Sequence, residues 1–390
     1  MTSRQLSNRD QDLMNLADTL RHQLSAVLEY EMLKEGGARL PERTELSRRL
    51  LRLIGKHSLI LNRPEMEWLQ TTVLDRIDGC DVLEPLLRDG EITEIMINDP
   101  DHVFIERNGR IEPSNVRFRD EAHLRHVIER IVSPIGRRID ESSPMVDARL
   151  PDGSRVNAVI PPLTIGGPAL TIRKFSKQPF TLSRLVDLGT ISPEMREYLT
   201  RSAMDRRSMI ISGGTGSGKT STLNAVSQCI PDHERLITIE DSAELQLQHS
   251  DLISMEARQP NVEGKGEVPI RQLVRNALRM RPDRIIVGEV RGGEAFDMLQ
   301  AMNTGHRGSL TTLHANSPED ALIRLESMVL MAGFELPLAA IRRMIAGAIE
   351  IIVQQDRLPD GKRVVKTIAE VERDAPDVIR LIPIFSFGSK

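Results

Sequence analysis

The sequence is poor in aromatic residues, which make up 3% of its 390 positions. Cores must therefore be built from Leu, Ile, Val and Met, and little is left for the stacked-aromatic grooves that hold single-stranded nucleic acid. Cys80 and Cys229 are the only cysteines, which excludes a disulfide framework or a cysteine-rich zinc site and suits a reducing compartment. No apolar run approaches the ~18 residues of a membrane span. The best stretch, Met344 to Val353, is short and carries Glu350. The first thirty residues, with Arg4, Arg9, Asp10, Asp12 and Asp18, lack the apolar core of a signal peptide. Neither sign of charge dominates: 52 basic against 56 acidic residues leave a net −4, which disfavours general coating of nucleic acid. A soluble protein of the cytosol is the expectation. A composition 39% hydrophobic and 28% charged excludes disorder as its dominant state.

The chain is longer than one compact domain usually is, and its text changes character twice. Residues 1–79 are polar with Leu at helical spacing: Leu20, Leu24 and Leu28 in one stripe, Leu46, Leu50, Leu51 and Ile54 in another. Short helices packed as a small bundle are expected there, with a docking or assembly role and no chemistry. Residues 80–185 shift toward a period of two and read as an α+β domain with antiparallel pairing. Arg107-Asn108-Gly109-Arg110 and Pro151-Asp152-Gly153-Ser154 close hairpins, and Glu121 to Val132 reads as an amphipathic helix stopped before Pro134. A turn-rich linker, Ser176 to Pro193, closes this part. Residues 186–390 alternate strand and helix, the βαβ signature of an α/β fold with a parallel sheet. Its strands are 208–212, 235–239, 284–287 and 309–313. A helix starts at Ser317-Pro318-Glu319-Asp320, and a hairpin around Pro359-Asp360-Gly361 lies near the end.

Chemistry concentrates in this last part. Gly213-Gly214-Thr215-Gly216-Ser217-Gly218-Lys219-Thr220 fits G-x-x-x-x-G-K-[ST], between the apolar strand Met209-Ile210-Ile211 and the helical run Thr220 to Gln228, which includes Ser221. Glycines let backbone N–H groups converge on phosphate oxygens, and the helix N-terminus adds partial positive charge. The pattern predicts that Lys219 reaches the β- and γ-phosphates of ATP and that the Thr220 hydroxyl holds Mg²⁺. Arg284-Ile285-Ile286-Val287-Gly288-Glu289 is an apolar strand ending in an acid, so Glu289 is expected to bind Mg²⁺ through water or to orient the attacking water. Between them, Glu240, Asp241 and Glu244 follow a strand directly. Three such carboxylates repel one another unless a cation or a polarised water is near, and a solvated loop is the plain alternative. His306 and His314 bracket a strand, from which both imidazoles could face one edge of the nucleotide site. Metal ligation by them is disfavoured without a third ligand. Arg271, Arg275 and Arg279 recur every four residues and suit either a subunit contact or a solvated helix face.

Four blocks, in this order and spacing, resemble the secretion ATPase superfamily of type II and type IV secretion and pilus assembly. They match its Walker A loop (213–220), Asp box (238–244), Walker B (285–289) and His box (304–314). Closer wording is similar to the tight-adherence, CpaF-type branch: Glu94-Ile95-Met96-Ile97-Asn98-Asp99-Pro100, Arg149-Leu150-Pro151-Asp152-Gly153-Ser154-Arg155 and Leu278-Arg279-Met280-Arg281-Pro282-Asp283-Arg284. The four-cysteine zinc insert of some type II relatives is missing. The resemblance implies a RecA-like P-loop core preceded by an α+β domain and a helical module. It further implies a homo-hexameric ring with nucleotide between the α+β domain and the core, where Arg149, Arg155 and Arg173 touch the phosphates. Glu244 then shares the activation of water with Glu289. The implied motor stays in the cytoplasm and meets the membrane peripherally, through inner-membrane platform proteins. Its output is pilus extension, and retraction as a second output, with no stable nucleic-acid partner. A conjugation or effector-export ATPase is the alternative within the class. A DNA translocase and a nucleotide-gated scaffold are the rivals outside it.

Overall fold

The structure is a computed structural model that describes residues 8–34, 41–57, 59–107, 109–175, 180–258, 260, 265–372 and 379–387. The leucine stripes fold as α1 (Asn8–Lys34), α2 (Arg43–Ile54) and α3 (Arg63–Asp78). At 27 residues, α1 is longer than the short helices expected. Leu20, Leu24, Leu28, Leu46, Leu50 and Ile54 share a core with Leu69 and Val73 of α3. Leu51 does not join it and is 45% exposed, because the residue after Leu50 lies about 100° round the helix. Asn62 caps α3 by accepting from the Glu65 N–H at 2.9 Å, and the Glu65 carboxylate accepts from the Asn62 N–H at 2.8 Å. Arg9 ties α1 to this corner with two bonds of 2.7 Å to the same carboxylate.

A short α4 (Glu84–Arg88) leads into β1 (Ile92–Ile97), β2 (Val103–Arg107) and β3 (Arg110–Pro113). Helix α5 (Glu121–Val132) follows, then β4 (Met145–Arg149), β5 (Arg155–Val159) and β6 (Ala169–Arg173). The sheet order is β3-β2-β1-β6-β5-β4 and every neighbouring pair is antiparallel, as expected. Asp120 caps α5 by accepting from the His123 N–H at 2.7 Å. The helix then buries Leu124, Val127, Ile128 and Ile131 against Ile95, Val156, Leu170 and Ile172 of the sheet. The Asp-Gly hairpin joins β4 to β5, whereas Asn108 of the other turn lies outside the described residues.

The chain forms two compact units, Met1–Phe175 and Ser176–Lys390, so the bundle and the antiparallel sheet belong together. The second unit begins with α6 (Leu182–Asp187) and α7 (Pro193–Met204). The first of these occupies part of the stretch read as a linker, of which residues 176–179 lie outside the described residues; Thr181 caps it by accepting from the Arg184 N–H at 3.1 Å. Then come β7 (Met209–Gly213), α8 (Lys219–Ser227), β8 (Leu236–Glu240), β9 (Leu252–Glu256), α9 (Ile270–Ala277) and β10 (Arg284–Val287). They are followed by α10 (Glu294–Asn303), β11 (Leu310–His314), α11 (Pro318–Met331), α12 (Leu338–Ala348), β12 (Ile351–Arg357), β13 (Arg363–Glu372) and β14 (Arg380–Ser386).

Their order in one sheet is β14-β13-β12-β7-β11-β10-β8-β9. From β12 to β9 the neighbours are parallel; β13 and β14 add an antiparallel edge. The strands are apolar on both sides because helices cover both sides. Ile210, Ile237, Ile285, Val287 and Leu313 pack with α9 to α12 on one face. Met209, Ile211, Leu236, Ile286 and Leu310 pack with α6 to α8 on the other. The chain runs from β7 toward β8 on one side and returns to β12 on the other, so the carboxyl end of β7 is a switch point, where open α/β sheets bind ligands. β9 and β14 were not anticipated from the sequence. β9 is only partly buried and has no strong apolar pattern.

Candidate active site

Strand β7 ends at Gly213 and α8 begins at Lys219, so 214–218 form the loop that the sequence pattern predicts. Two of its glycines are required by their neighbour β12. A Cβ on Gly213 would collide with the Gln355 carbonyl oxygen, and one on Gly218 would lie 2.9 Å from Gln355 Nε2. Gly218 also sits at φ 95°, a region that side chains disfavour. The loop is braced from within: Lys219 Nζ donates to the Gly214 carbonyl at 2.8 Å, and Ser217 Oγ donates to the same oxygen at 2.9 Å. Thr215 and Gly216 are exposed at the tip, and Thr220 and Ser221 are half-buried on the first turn of α8. Lys219 is 7% exposed. The N–H groups of the loop and of the α8 N-terminus beside it make an environment that favours a bound anion.

Because the strands are parallel, β8, β10 and β11 deliver their carboxyl ends to the same edge. Glu289, just past β10, accepts from Arg291 Nη2 at 2.8 Å, and its other oxygen lies 3.1 Å from Nε2 of His314, the last residue of β11. Burial pushes the Glu289 carboxyl up, but Arg291, His314 and Lys219 outweigh it and hold it below the ordinary carboxylate range. It is therefore ionised at neutral pH. His314 is pushed down by burial and by Lys219, against the pull of Glu289. The cation that the acidic loop needs is Arg291, whose pKa is raised by its bond to Glu289 and by Asp241 and Glu244. Arg291 was missed in the sequence, although it stands two residues after Glu289.

The remaining expected residues are placed as follows. Glu240 is buried, and its carboxylate accepts from the N–H groups of Glu244 at 2.9 Å and Leu245 at 3.1 Å, so it shapes the acidic loop. Asp241 is exposed and Glu244 half-buried, both within the field of Arg291. His306 does not join the site. It precedes β11, at the opposite edge of the sheet from His314, and its Nδ1 lies 3.0 Å from the Pro282 carbonyl oxygen. The two histidines bracket one strand, and a strand's two ends face opposite edges. Arg271 and Arg275 keep part of their side chains in solvent, 29% and 52% exposed. Both grip Asp297 of α10, each at 2.7 Å, while Arg279 lies beyond the end of α9 and bonds to Asn276.

Arg149, Arg155 and Arg173 belong to the first unit, where pairing registers set them on one rung. Arg149 faces Arg155, Arg155 faces Arg173, and Arg173 faces Glu94. Their neighbours Val156 and Ile172 are buried, so the rung lies on the face away from α5.

In the second unit, a glycine loop at a helix N-terminus, a buried ammonium, a half-buried hydroxyl and an ionised carboxylate thus meet at one edge. That donor set fits a nucleoside phosphate with Mg²⁺: Thr220 offers a hydroxyl ligand, and Glu289, whose oxygens already face Arg291 and His314, suits contact through water.

A model of the type II/IV secretion system protein family matches residues 77–371. A putative conjugal transfer protein of Mycobacterium tuberculosis (strain H37Rv) is 37% identical over 315 residues, covering 79% of this chain and 89% of its own length. The type IV secretion system protein VirB11 of Brucella suis is 35% identical over 301 residues, covering 70% of this chain and 82% of its own. Among solved structures, the Legionella pneumophila ATPase DotB matches with a TM-score of 0.53 at 23% identity, over 75% of this chain and 80% of that one. The pilus retraction motor PilT with bound ADP matches with a TM-score of 0.53 at 22% identity, over 73% and 80%. Both likenesses concern the fold, the expected α/β class with its RecA-like core.

Proposed function

The chain belongs to the type II/IV secretion system protein family, and on that premise we propose that it is a Mg-dependent ATP hydrolase: the hexameric cytoplasmic motor of a tight-adherence type pilus. The observation that carries the hydrolase reading is the meeting of Lys219, Glu289 and His314 at the carboxyl edge of the parallel sheet. Lys219 and the loop N–H groups bind the phosphates and neutralise charge that spreads over the γ-phosphoryl oxygens as water attacks in line. Glu289, kept ionised by Arg291, orients that water or takes its proton, and Glu244 is the second candidate for this work. His314 Nε2 stands 3.1 Å from the other oxygen of the Glu289 carboxylate. Thr220, and Glu289 through water, would hold a Mg²⁺, which would supply Lewis-acid charge to the phosphate oxygens. The arginine rung of the first unit is the natural clamp for the transferring group, closing on it within the ring and coupling hydrolysis to domain motion.

The pilus reading is supported by the wording of 94–100, 149–155 and 278–284. Among the described residues no helix is long and apolar enough to cross a membrane, in keeping with attachment through a membrane platform protein. The names of the relatives at 35–37% identity favour a second reading, a conjugation or type IV secretion ATPase.

Lys219→Ala should leave fold and oligomer intact while phosphate release falls to background, since a charge-assisted contact worth about 3 kcal/mol or more is lost. Wild-type turnover in that variant would falsify the hydrolase reading. In the native host, replacing the gene by the Lys219→Ala form should abolish surface pili. Intact pili with lost DNA or protein transfer would move the assignment to the second reading. Turnover that rises with added DNA would make the protein a translocase instead.

A further inference from the structure

The wall of the phosphate loop on the side of β12 is basic. Gln355 of β12 packs against Gly213 and Gly218, and its Oε1 accepts from Thr222 Oγ1 of α8 at 2.8 Å. Next to it, Ser212 Oγ of β7 donates to Gln354 Oε1 at 2.6 Å. These buried bonds lock β12 to the strand before the loop and to the helix after it. The strand then ends in Arg357, which faces Arg363 of β13 across the hairpin in direct register. Both side chains turn to the loop tip. Arg363 Nε donates to the Gly216 carbonyl at 2.9 Å, and its Cδ lies 3.2 Å from where a Cβ of Gly218 would stand. Arg357 Nη1 lies 3.5 Å from the corresponding point on Gly216.

Two guanidiniums are thus held at the lip of a cradle whose other walls are N–H groups and an ammonium. A phosphate seated in the loop lies beside this wall, within the field of both guanidiniums.

We propose that Arg363 and Arg357 bind phosphate oxygens of the nucleotide in the loop of their own subunit, as a second cationic wall opposite the Glu289 side. This rests on the nucleotide reading above and adds two ligands to it. A guanidinium is suited to the task because it stays charged and presents a planar fork of N–H donors to paired oxygens. The hairpin that carries it is tied to the loop through Gln354 and Gln355, so occupancy of the loop is felt along β12 and β13.

The test uses the full-length protein with ADP and with inorganic pyrophosphate, which has phosphates and no base. Arg363→Gln should weaken both by about tenfold or more, the loss of a charge-assisted contact, with the melting temperature in the absence of ligand unmoved. Arg357→Gln, more exposed, should weaken both by about threefold. Arg363→Lys keeps the charge but loses the planar fork and should fall between wild type and Arg363→Gln.

Wild-type pyrophosphate affinity in Arg363→Gln overturns the proposal, whatever happens to ADP. So does an Arg363→Lys loss as large as that of Gln, which would make the side chain a brace for the loop. If Arg363→Gln does not fold, unchanged pyrophosphate binding in Arg357→Gln overturns it. Failure of the wild-type protein to bind either ligand sinks the nucleotide reading itself and is recognisable as such.

Discussion

In the parallel sheet, Gly213, Glu240 and His314 end β7, β8 and β11, and Glu289 stands just past β10. In the antiparallel sheet, Arg149, Arg155 and Arg173 lie side by side because β4, β5 and β6 pair in one particular register. The first arrangement follows from strand direction: neighbours that run the same way bring their carboxyl ends together. The second depends on register, where a slip of one residue would send the arginines to the core face. The two regions also balance charge differently. At the parallel edge Glu289 has Arg291 and His314 beside it. On the rung, three cations stand in line with one facing acid, Glu94. One region gathers an acid and its cation at strand ends, and the other lines up arginines across paired strands.

The largest effect should come from the rung. Arg155→Ala should lower turnover on the order of a thousandfold with near-normal nucleotide affinity, as expected for a clamp on a transferring phosphoryl group. Mixing this variant with wild type should depress activity beyond dilution if subunits fire in a coupled order. Unchanged turnover would reduce the rung to a surface feature and erase half of the comparison.

At the parallel edge, Glu289→Gln keeps shape and removes charge, so ATP should still bind while hydrolysis slows by roughly a hundredfold. Glu244→Gln measured beside it sharpens the picture. An equal loss would divide the work on water between the two acids, and no loss at all would return Glu244 to a loop-shaping role with Glu240.

The smallest effect belongs to the first unit away from the rung, where charge serves structure. The Glu65 carboxyl is pulled from its ordinary value near 4.5 to about 2 by its bonds to Arg9 and to the Asn62 N–H. Its contribution is present above pH 4.5 and is lost as pH falls from 4.5 toward 2. Glu65→Gln should flatten that part of the acid-unfolding profile of the helical bundle and leave ATPase activity at neutral pH untouched. An acid profile identical to wild type would show the corner to be held by packing alone.

The candidate site was legible where chemistry is written in contiguous residues. The loop 213–220, the strand ending in Glu289 and the position of His314 all lie within single strand–turn stretches, and the structure joins them. His306 was misplaced although the signal was present: it precedes the strand that ends at His314, and a strand's two ends face opposite edges. For Arg271 and Arg275, a helical period shows that they share a face, but not that Asp297 of another helix lies opposite. Arg291 could have been suspected, since the acids at 240–244 required a cation and one followed Glu289 closely.

Period and turn chemistry act over a few residues, so the sequence by itself determined the helical bundle, the antiparallel sheet, the βαβ series and the phosphate loop. Apolar alternation, caps such as Asp120 and Ser317, and glycine turns carry their reasons locally. Register and strand order are decided by packing between segments far apart in the chain. Only the tertiary structure therefore aligned three arginines on one rung, placed Arg291 among the acids and brought Arg357 and Arg363 to the lip of a loop some 140 residues earlier.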